Sequence, residues 1–190
     1  IGVFLLRKER CTLLQFGHRR LREKPPAGGV STYREAVVPS RDLVGRCEAL
    51  LDQLGYEGPA MIEFKEDART GDAVLMEINA RLWGSVQLAI DAGVDFPTTL
   101  VASTLGLPIP EPPAVRQGIR TYWELGELDH ALAIWRKSAA QLAAPPGMAL
   151  GAGAALRALM DRRWSDRAEV FRFSDPMPFV MELLRWIKRQ

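Results

Sequence analysis

The chain has 190 residues, of which 47% are hydrophobic and 25% are charged. This composition is typical of a globular protein and excludes an intrinsically disordered chain. The formal net charge of +2 is too small to indicate nucleic-acid binding, and no segment is apolar and continuous enough to predict a membrane span. Cys11 and Cys47 form no CxxC pattern, so neither a disulfide framework nor a zinc site is indicated. We therefore expect a cytoplasmic protein that binds neither nucleic acid nor membrane.

The N-terminal part of the chain predicts strands. VFLLR and TLLQFGH flank the charged turn at residues 8–10, which is the pattern of a β-hairpin. The basic run HRRLREK follows, and on a strand Arg20 and Arg22 would share one face. These two arginines either bind an anionic substrate or form a solvated basic edge, and both interpretations stay open. His18 belongs to no catalytic triad or zinc pattern with its neighbours.

A helix is predicted from about Arg41 to Leu54. Ser40 is a suitable N-cap, and Gly55 is a suitable residue to end the helix. The apolar residues of this segment fall on one helical face: Leu43, Val44, Cys47, Leu50, Leu51 and Leu54. Cys47 is accordingly predicted to be a core residue and not a reactive thiol.

Further along the chain, Ser85 and Asp95 are predicted N-caps of two helices. The proline-rich stretch LPIPEPP then indicates a domain boundary, and the segment beyond it is predicted to be mainly helical. We therefore divide the chain into a lobe of strands and helices at residues 1–107 and a helical segment at residues 108–190.

Between the helix predicted at about Arg41–Leu54 and the helix predicted to begin at Ser85, residues 61–65 and 74–79 are short apolar runs that each carry one glutamate. They predict two strands joined by a polar turn. With a strand period of two, one face is apolar and is formed by Ile62, Phe64, Val74, Met76 and Ile78. The other face carries Glu63, Lys65, Glu77 and Asn79. If the hairpin is symmetric about Thr70, Glu63 lies directly opposite Glu77.

Two facing carboxylates need an explanation, because like charges across a strand pair are unfavourable. At about 5 Å and an effective dielectric constant of about 20, the repulsion is roughly 3 kcal/mol. A divalent cation between Glu63 and Glu77 would replace this repulsion by ligation, and Asn79 adds a neutral oxygen on the same face. The alternative is a solvated sheet face on which Lys65 pairs with the glutamates. Arg81, which continues the alternation, favours the metal site because its planar guanidinium suits phosphate or carboxylate oxygens.

The residues of this region resemble a known family. The pattern IEF, a turn containing Gly71, and MEINARLWGS followed by QLAIDAGVDFP resembles the C-terminal lobe of ATP-grasp ligases. It is most similar to the branch that includes the large subunit of carbamoyl-phosphate synthetase and biotin carboxylase. The resemblance extends over residues 1–106 and is specific over residues 61–97. It implies an α+β fold in which an antiparallel sheet is flanked by helices, with a helical C-terminal extension.

The resemblance also implies a set of site residues. Glu63, Glu77 and Asn79 would bind Mg²⁺, or Mn²⁺ in its place, together with the phosphates of ATP. Arg81 would be the catalytic residue that contacts the transferred phosphate or the acyl phosphate. The implied activity is an ATP-dependent ligation that forms C–N bonds between a small-molecule carboxylate and an amine, or another nucleophile. The sequence names neither substrate and leaves the oligomeric state open, a homodimer included.

One departure from the family pattern bears on function. ATP-grasp ligases bind ATP between two lobes, and the other lobe supplies two lysines, a glycine-rich loop and a hinge strand for adenine. The five lysines of this chain include no candidate pair in such a context. We therefore expect the chain to be the C-terminal portion of a longer enzyme. The alternative, from another functional class, is a non-catalytic nucleotide- or partner-binding module with a degenerate ATP-grasp fold.

Overall fold

The computed structural model describes residues 1–67, 69–109, 111 and 114–188. The strands in these ranges are β1 (Gly2–Lys8), β2 (Cys11–Lys24), β3 (Val30–Val37), β4 (Gly58–Glu66), β5 (Ala73–Asn79), β6 (Arg120–Tyr122) and β7 (Arg167–Ala168). The helices are α1 (Arg41–Gln53), α2 (Val86–Asp91), α3 (Phe96–Leu105), α4 (Glu124–Arg136), α5 (Ala139–Leu142), α6 (Ala152–Met160) and α7 (Met177–Ile187). The boundary stretch LPIPEPP lies in part outside the described residues.

The chain forms two compact units. Unit 1 comprises Ile1–Arg19 and Glu35–Ile119, and unit 2 comprises Arg20–Arg34 and Arg120–Gln190. Unit 2 therefore takes part of β2 and β3 in addition to the C-terminal helices. The sequence-based boundary after residue 107 stays a prediction.

The sheet is mixed, in agreement with the predicted α+β class. In unit 1 the hydrogen-bonded strand order is β5-β4-β1-β2-β3, and the pairs β1–β2, β1–β4 and β4–β5 are antiparallel. In unit 2 the order is β2-β3-β6-β7, because β2 and β3 contribute residues to both units. β6 and β7 are parallel, which the prediction of an antiparallel sheet did not include. Parallel strands need a long crossover, and the chain between these two contains α4, α5 and α6.

The predicted N-terminal hairpin is confirmed. β1 and β2 pair antiparallel from Gly2 opposite His18 to Lys8 opposite Cys11. The two turn residues, Glu9 and Arg10, have φ angles of 50° and 63°. Positive φ at both positions is the conformation of a type I′ turn, whose twist matches that of the strands it joins.

Helix α1 covers one face of the unit 1 sheet, as its apolar stripe predicts. The Ser40 hydroxyl caps it by accepting a hydrogen bond from the Leu43 backbone amide at 3.2 Å. The core on this face consists of Val3, Leu5, Leu43, Val44, Cys47, Leu51, Ala60, Ile62 and Phe64. Leu54, predicted to belong to the stripe, is 62% exposed because it is the C-cap and lies beyond the last full turn.

Helices α2 and α3 supply side chains to the other face of the same sheet. A cluster of aromatic rings forms its centre, with 4.1 Å between the ring centroids of Phe4 and Trp83 and 4.9 Å between those of Trp83 and Phe96. Because β1 is buried on both faces, its sequence is a continuous apolar run and not an alternating one. Asp95 caps α3 through the Thr98 amide at 3.0 Å, as predicted. No helix in the described ranges is long and apolar enough to cross a membrane.

The two cysteines lie in opposite environments, which predicts different reactivity. Cys11 is exposed, whereas Cys47 is fully buried, and burial raises the pKa of its thiol to about 12. Thiolates and not thiols react with disulfide reagents. At pH 8 we therefore expect the native chain to consume one equivalent of Ellman's reagent, at Cys11, and a second only after unfolding in guanidinium. A Cys11→Ser chain that reacts rapidly without denaturant would contradict this assignment.

The same thiol should make stability depend on pH. The native state keeps the Cys47 proton from about pH 9 to about pH 12, whereas the unfolded state loses it in that interval. The stabilisation is complete below pH 9 and declines as the pH rises towards 12. Urea unfolding at several pH values should show this decline, and a Cys47→Ala chain should show a smaller slope above pH 9.

Candidate functional site

The pairing of β4 with β5 places two carboxylates face to face. Glu63 is the direct partner of Glu77, and the neighbouring pairs are Ile62 with Ile78 and Met61 with Asn79. Residues that are directly opposite in an antiparallel pair lie on the same sheet face. The predicted arrangement of Glu63, Glu77 and Asn79 on one face is therefore present in the described residues, and Ile62 and Ile78 lie on the other.

The hairpin is not symmetric beyond this point. The register shifts between Glu63 and Phe64, so that Phe64 pairs with Leu75 and Lys65 with Val74. Val74 and Met76 are each 63% exposed, and the prediction that both contribute to the apolar face is wrong. The physical reason is the bulge, because an extra residue in one strand reverses the alternation of all residues beyond it.

The two glutamates differ in their surroundings. Glu63 is buried, with 9% of its surface exposed, whereas Glu77 is on the exposed edge strand. The Asn79 amide nitrogen donates a hydrogen bond of 2.8 Å to the Glu77 carboxylate. This bond leaves the oxygen of the Asn79 amide as a second acceptor near the carboxylates.

Arg81 follows immediately after β5. Strand β5 ends at Asn79, and the Arg81 backbone amide donates to the Asn79 carbonyl at 3.0 Å. The alternation expected to include Arg81 therefore stops before it, because the backbone turns there. The Arg81 side chain is exposed and donates one hydrogen bond of 3.0 Å, to the Leu82 carbonyl.

The row of paired residues continues past the two glutamates. Gly2 in β1 is the partner of Glu63 on one side and of His18 on the other. The buried His18 ring occupies the space above Gly2, where a Cβ atom would lie 3.0 Å from the imidazole Nε2. Its Nδ1 lies 3.5 Å from the Ser85 hydroxyl. Ser85 therefore precedes α2 without making the predicted side-chain cap.

Sequence reasoning missed His18, because the residue has no motif with its neighbours in the chain. The signal that could have found it is the strand register. Counting outward from the turn of the first hairpin brings His18 opposite Gly2, and the second pairing brings Gly2 opposite Glu63. The registers of both the β1–β2 pair and the β1–β4 pair must therefore be known before His18 can be placed in the same row as Glu63.

The donor set suits a hard divalent cation. Mg²⁺ is commonly held by one or two protein carboxylates, with phosphate and water oxygens completing its shell. Glu63 and Glu77 supply two carboxylates on one face and Asn79 an amide oxygen. Among the described residues, no group of three or more His, Cys, Asp or Glu side chains could hold a metal ion. The residues present therefore fit a cation that is shared with a phosphate ligand better than one enclosed by protein.

Arg20 and Arg22, the predicted substrate residues, both belong to unit 2. Arg22 is nine-tenths buried and donates to Glu127 at 2.6 and 2.8 Å and to Asp161 at 3.0 Å. Arg20 donates to Glu23 at 3.1 Å and to the Gly29 carbonyl at 2.9 Å. A solvated basic edge does not describe Arg22, and an anionic substrate would have to compete with these carboxylates. Their role towards a substrate stays a prediction.

The family model described as ATP-grasp in the biosynthetic pathway with Ter operon matches residues 19–126. This match covers more than half of the chain, and the chain belongs to that ATP-grasp family. The predicted membership in the ATP-grasp superfamily is thereby confirmed. The closer resemblance to the branch of carbamoyl-phosphate synthetase and biotin carboxylase stays a prediction.

No curated protein shows a significant match to the chain. Among solved structures, the crystal structure of the phosphoribosylaminoimidazole carboxylase ATPase subunit from Aquifex aeolicus is similar, with 14% sequence identity and a TM-score of 0.48. The match covers 70% of this chain and 44% of that chain. The chain spans less than half the length of the solved protein.

The facing carboxylates predict a measurable destabilisation in the absence of metal. Glu77→Gln keeps the shape of the side chain and an acceptor for Asn79 but removes one of the two charges. We expect the free energy of unfolding in EDTA and low salt to rise by about 1 kcal/mol, less than the full Coulomb energy because Glu77 is exposed. The gain should disappear in 1 M salt, where the Debye length is about 3 Å.

The matched control is Glu66→Gln. Glu66 is also an exposed glutamate of the same hairpin, but its strand partner is Ala73. Urea unfolding should show no gain for this variant. Equal effects for Glu66→Gln and Glu77→Gln would mean that Glu77 acts only through net charge and that the facing pair costs nothing.

Proposed function

We propose that this chain is part of an ATP- and Mg²⁺-dependent ligase that joins a carboxylate to an amine through an acyl phosphate. The observation that carries the proposal is the direct pairing of Glu63 with Glu77 on the face that also holds Asn79. Membership in an ATP-grasp family supports the use of ATP. The carboxylate and the amine are small molecules whose identity the proposal leaves open.

Glu63, Glu77 and Asn79 are assigned to hold Mg²⁺, which Mn²⁺ can replace. When bound, the cation neutralises negative charge on the phosphate oxygens of ATP. The buried position of Glu63 restricts the orientation of its carboxylate, and its strand β4 is held on both sides by β1 and β5. The exposed position of Glu77 leaves its carboxylate open to a ligand on the surface of the sheet.

Arg81 is assigned to the transferred phosphoryl group. Its guanidinium is exposed and has no carboxylate partner among the described residues. A free planar guanidinium can form two parallel hydrogen bonds with a phosphate or carboxylate, which lysine cannot do. Placed beside the phosphate, it would stabilise the charge that grows on the equatorial oxygens during transfer.

The proposed reaction consists of two substitutions. A carboxylate oxygen attacks the γ-phosphorus of ATP, the bond to the bridging oxygen breaks, and ADP leaves. The amine nitrogen then attacks the acyl carbon, inorganic phosphate leaves, and the nitrogen loses a proton to give an amide. The residues of this chain contribute binding and charge neutralisation to both steps and form no covalent intermediate.

The Arg81→Lys variant tests the assigned role of Arg81. In the natural protein that contains this chain, we expect kcat for ADP release to fall by about a hundredfold or more, with an unchanged far-ultraviolet circular dichroism spectrum. The control is Arg69→Lys, since Arg69 is an exposed arginine in the β4–β5 turn whose guanidinium donates to Asp67 at 3.4 Å. Wild-type turnover in Arg81→Lys would show that the guanidinium has no part in phosphoryl transfer. Absence of ADP release from the wild type with every carboxylate–amine pair would favour the non-catalytic alternative.

Nucleotide binding by this chain alone is a separate expectation. The five lysines include no pair suited to the phosphates, and two carboxylates without such cations repel a triphosphate. Titration calorimetry with Mg·ATP should therefore give a dissociation constant in the millimolar range or no binding, which corresponds to roughly −4 kcal/mol or a less favourable value. A micromolar constant would mean that these residues suffice for nucleotide recognition.

A further inference from the structure

Unit 2 contains a cavity of about 880 Å³ that the proposed ligase chemistry does not use. It lies between α4 and α7, next to the end of β2, and all the residues that line it belong to unit 2. The volume is within the range of small-molecule sites, which are mostly apolar with a few placed polar groups. Its apolar wall is formed by Leu125, Leu132, Leu142, Pro178, Met181 and two tryptophans.

The two tryptophans are held in place by a reciprocal pair of hydrogen bonds. The indole nitrogen of Trp123, at the start of α4, donates to Glu182 of α7 at 2.6 Å. The indole nitrogen of Trp186, in α7, donates to Asp129 of α4 at 2.8 Å. Each helix thus fixes an aromatic ring of the other. Rings with fixed orientation are a preorganised surface for a flat apolar group, because binding needs no further ordering of the side chains.

The lining carries more positive than negative charge. Its cations are Lys24, Arg136, Lys137 and Arg185, and its carboxylates are Asp129 and Glu182. Lys24 forms an ion pair with Asp129. The other three cations are exposed and have no ion pair with a carboxylate among the described residues. An anion at this edge would therefore meet charges that no internal partner neutralises.

We propose that the cavity between α4 and α7 is a binding site for an amphipathic organic anion. The ligand has a planar apolar body, which lies between the walls containing Trp123 and Trp186. It also carries a carboxylate or phosphate group, which Arg136, Lys137 and Arg185 bind. The site is independent of the proposed ligase function, since none of these residues is among those assigned to ATP, metal or catalysis.

An exposed apolar surface nearby must be distinguished from the cavity. The outer side of α7 exposes Met177, Val180, Leu184 and Ile187, which lie outside the cavity lining. Such a stripe could bind an apolar dye without any contribution from charge. It could also pair with a second copy of the chain. The test therefore has to separate an anion in the cavity from both of these occupants.

The test uses anilinonaphthalene sulfonate, a planar aromatic anion that becomes fluorescent in apolar sites, and the full 190-residue chain. We expect one bound dye per chain, energy transfer from tryptophan, and a dissociation constant on the order of 10 µM. The neutral dye N-phenylnaphthylamine should bind at least about tenfold more weakly. Naphthoate and naphthyl phosphate should displace the sulfonate, and the one that does so at lower concentration identifies the preferred anion. Naphthamide should not displace it.

Three variants locate the dye. The double variant Arg136→Glu/Arg185→Glu should weaken binding at least about tenfold. Arg157→Glu is the charge control, because Arg157 is an exposed arginine of unit 2 that does not line the cavity. Leu184→Glu is the control for the outer stripe of α7. Both controls should bind the dye within about twofold of the wild type, and circular dichroism should show that all variants are folded.

Several results would overturn the proposal. These are no binding, a stoichiometry well above one, equal affinity for the neutral dye, or loss of binding in Leu184→Glu. A dye affinity that falls as the chain concentration rises, with dimers in light scattering, would assign the surface to a second copy. The displacement experiment on the wild type decides between anion and apolar recognition even if the double variant fails to fold.

Discussion

The repulsion between Glu63 and Glu77 is the constraint on which the candidate site depends. A register that brings like charges together persists only if other contacts fix it. Ile62 and Ile78, the next pair along, lie on the opposite face, where Ile62 is fully buried and Ile78 packs against the same core. A slip of one residue would move a glutamate into that core. Apolar packing beneath α1 therefore holds the two carboxylates face to face on the other side of the sheet.

One face of the β4–β5 pair packs in the core and the other carries the carboxylates, and this difference explains which parts of the site could be predicted from the sequence. The positions of Glu63, Glu77 and Asn79 follow from alternation over a few residues, because the buried partners leave only one register. Alternation failed at Met76 and at Arg81, where a bulge and the end of β5 interrupt it. Neither event has a strong local signal, since both occur on an edge strand whose exposed side chains put little constraint on residue type.

The row through Gly2 and His18 shows a second limit. Gly2 has no side chain, and the rings of Phe4 and His18 fill the space beside it, so a larger residue at position 2 would displace at least one of these rings. The position of the His18 ring therefore depends on glycine at position 2, although neither residue stands out in the sequence. Gly2 and His18 are sixteen residues apart in the chain, and the hairpin of β1 and β2 brings them together. Bringing Glu63 next to Gly2 requires the pairing of β1 with β4 as well. Only the complete sheet brings the buried imidazole into the row that holds the carboxylates.

Most of the basic residues in the sequence are arginines, but these arginines differ in whether their guanidinium groups are buried in ion pairs or exposed to solvent. Arg22 lies 105 residues from Glu127 in the chain, and the two side chains form a buried ion pair. Arg34 pairs with Glu169, and burial lowers the pKa of Arg34 to about 10. Removing a carboxylate from such a pair would leave a buried charge without compensation. These arginines therefore hold unit 2 together. The guanidinium groups that we propose for the recognition of external anions, Arg81 in unit 1 and Arg185 in unit 2, are both exposed. A basic run in a sequence does not reveal this difference, because the partner that neutralises each charge is distant in the chain.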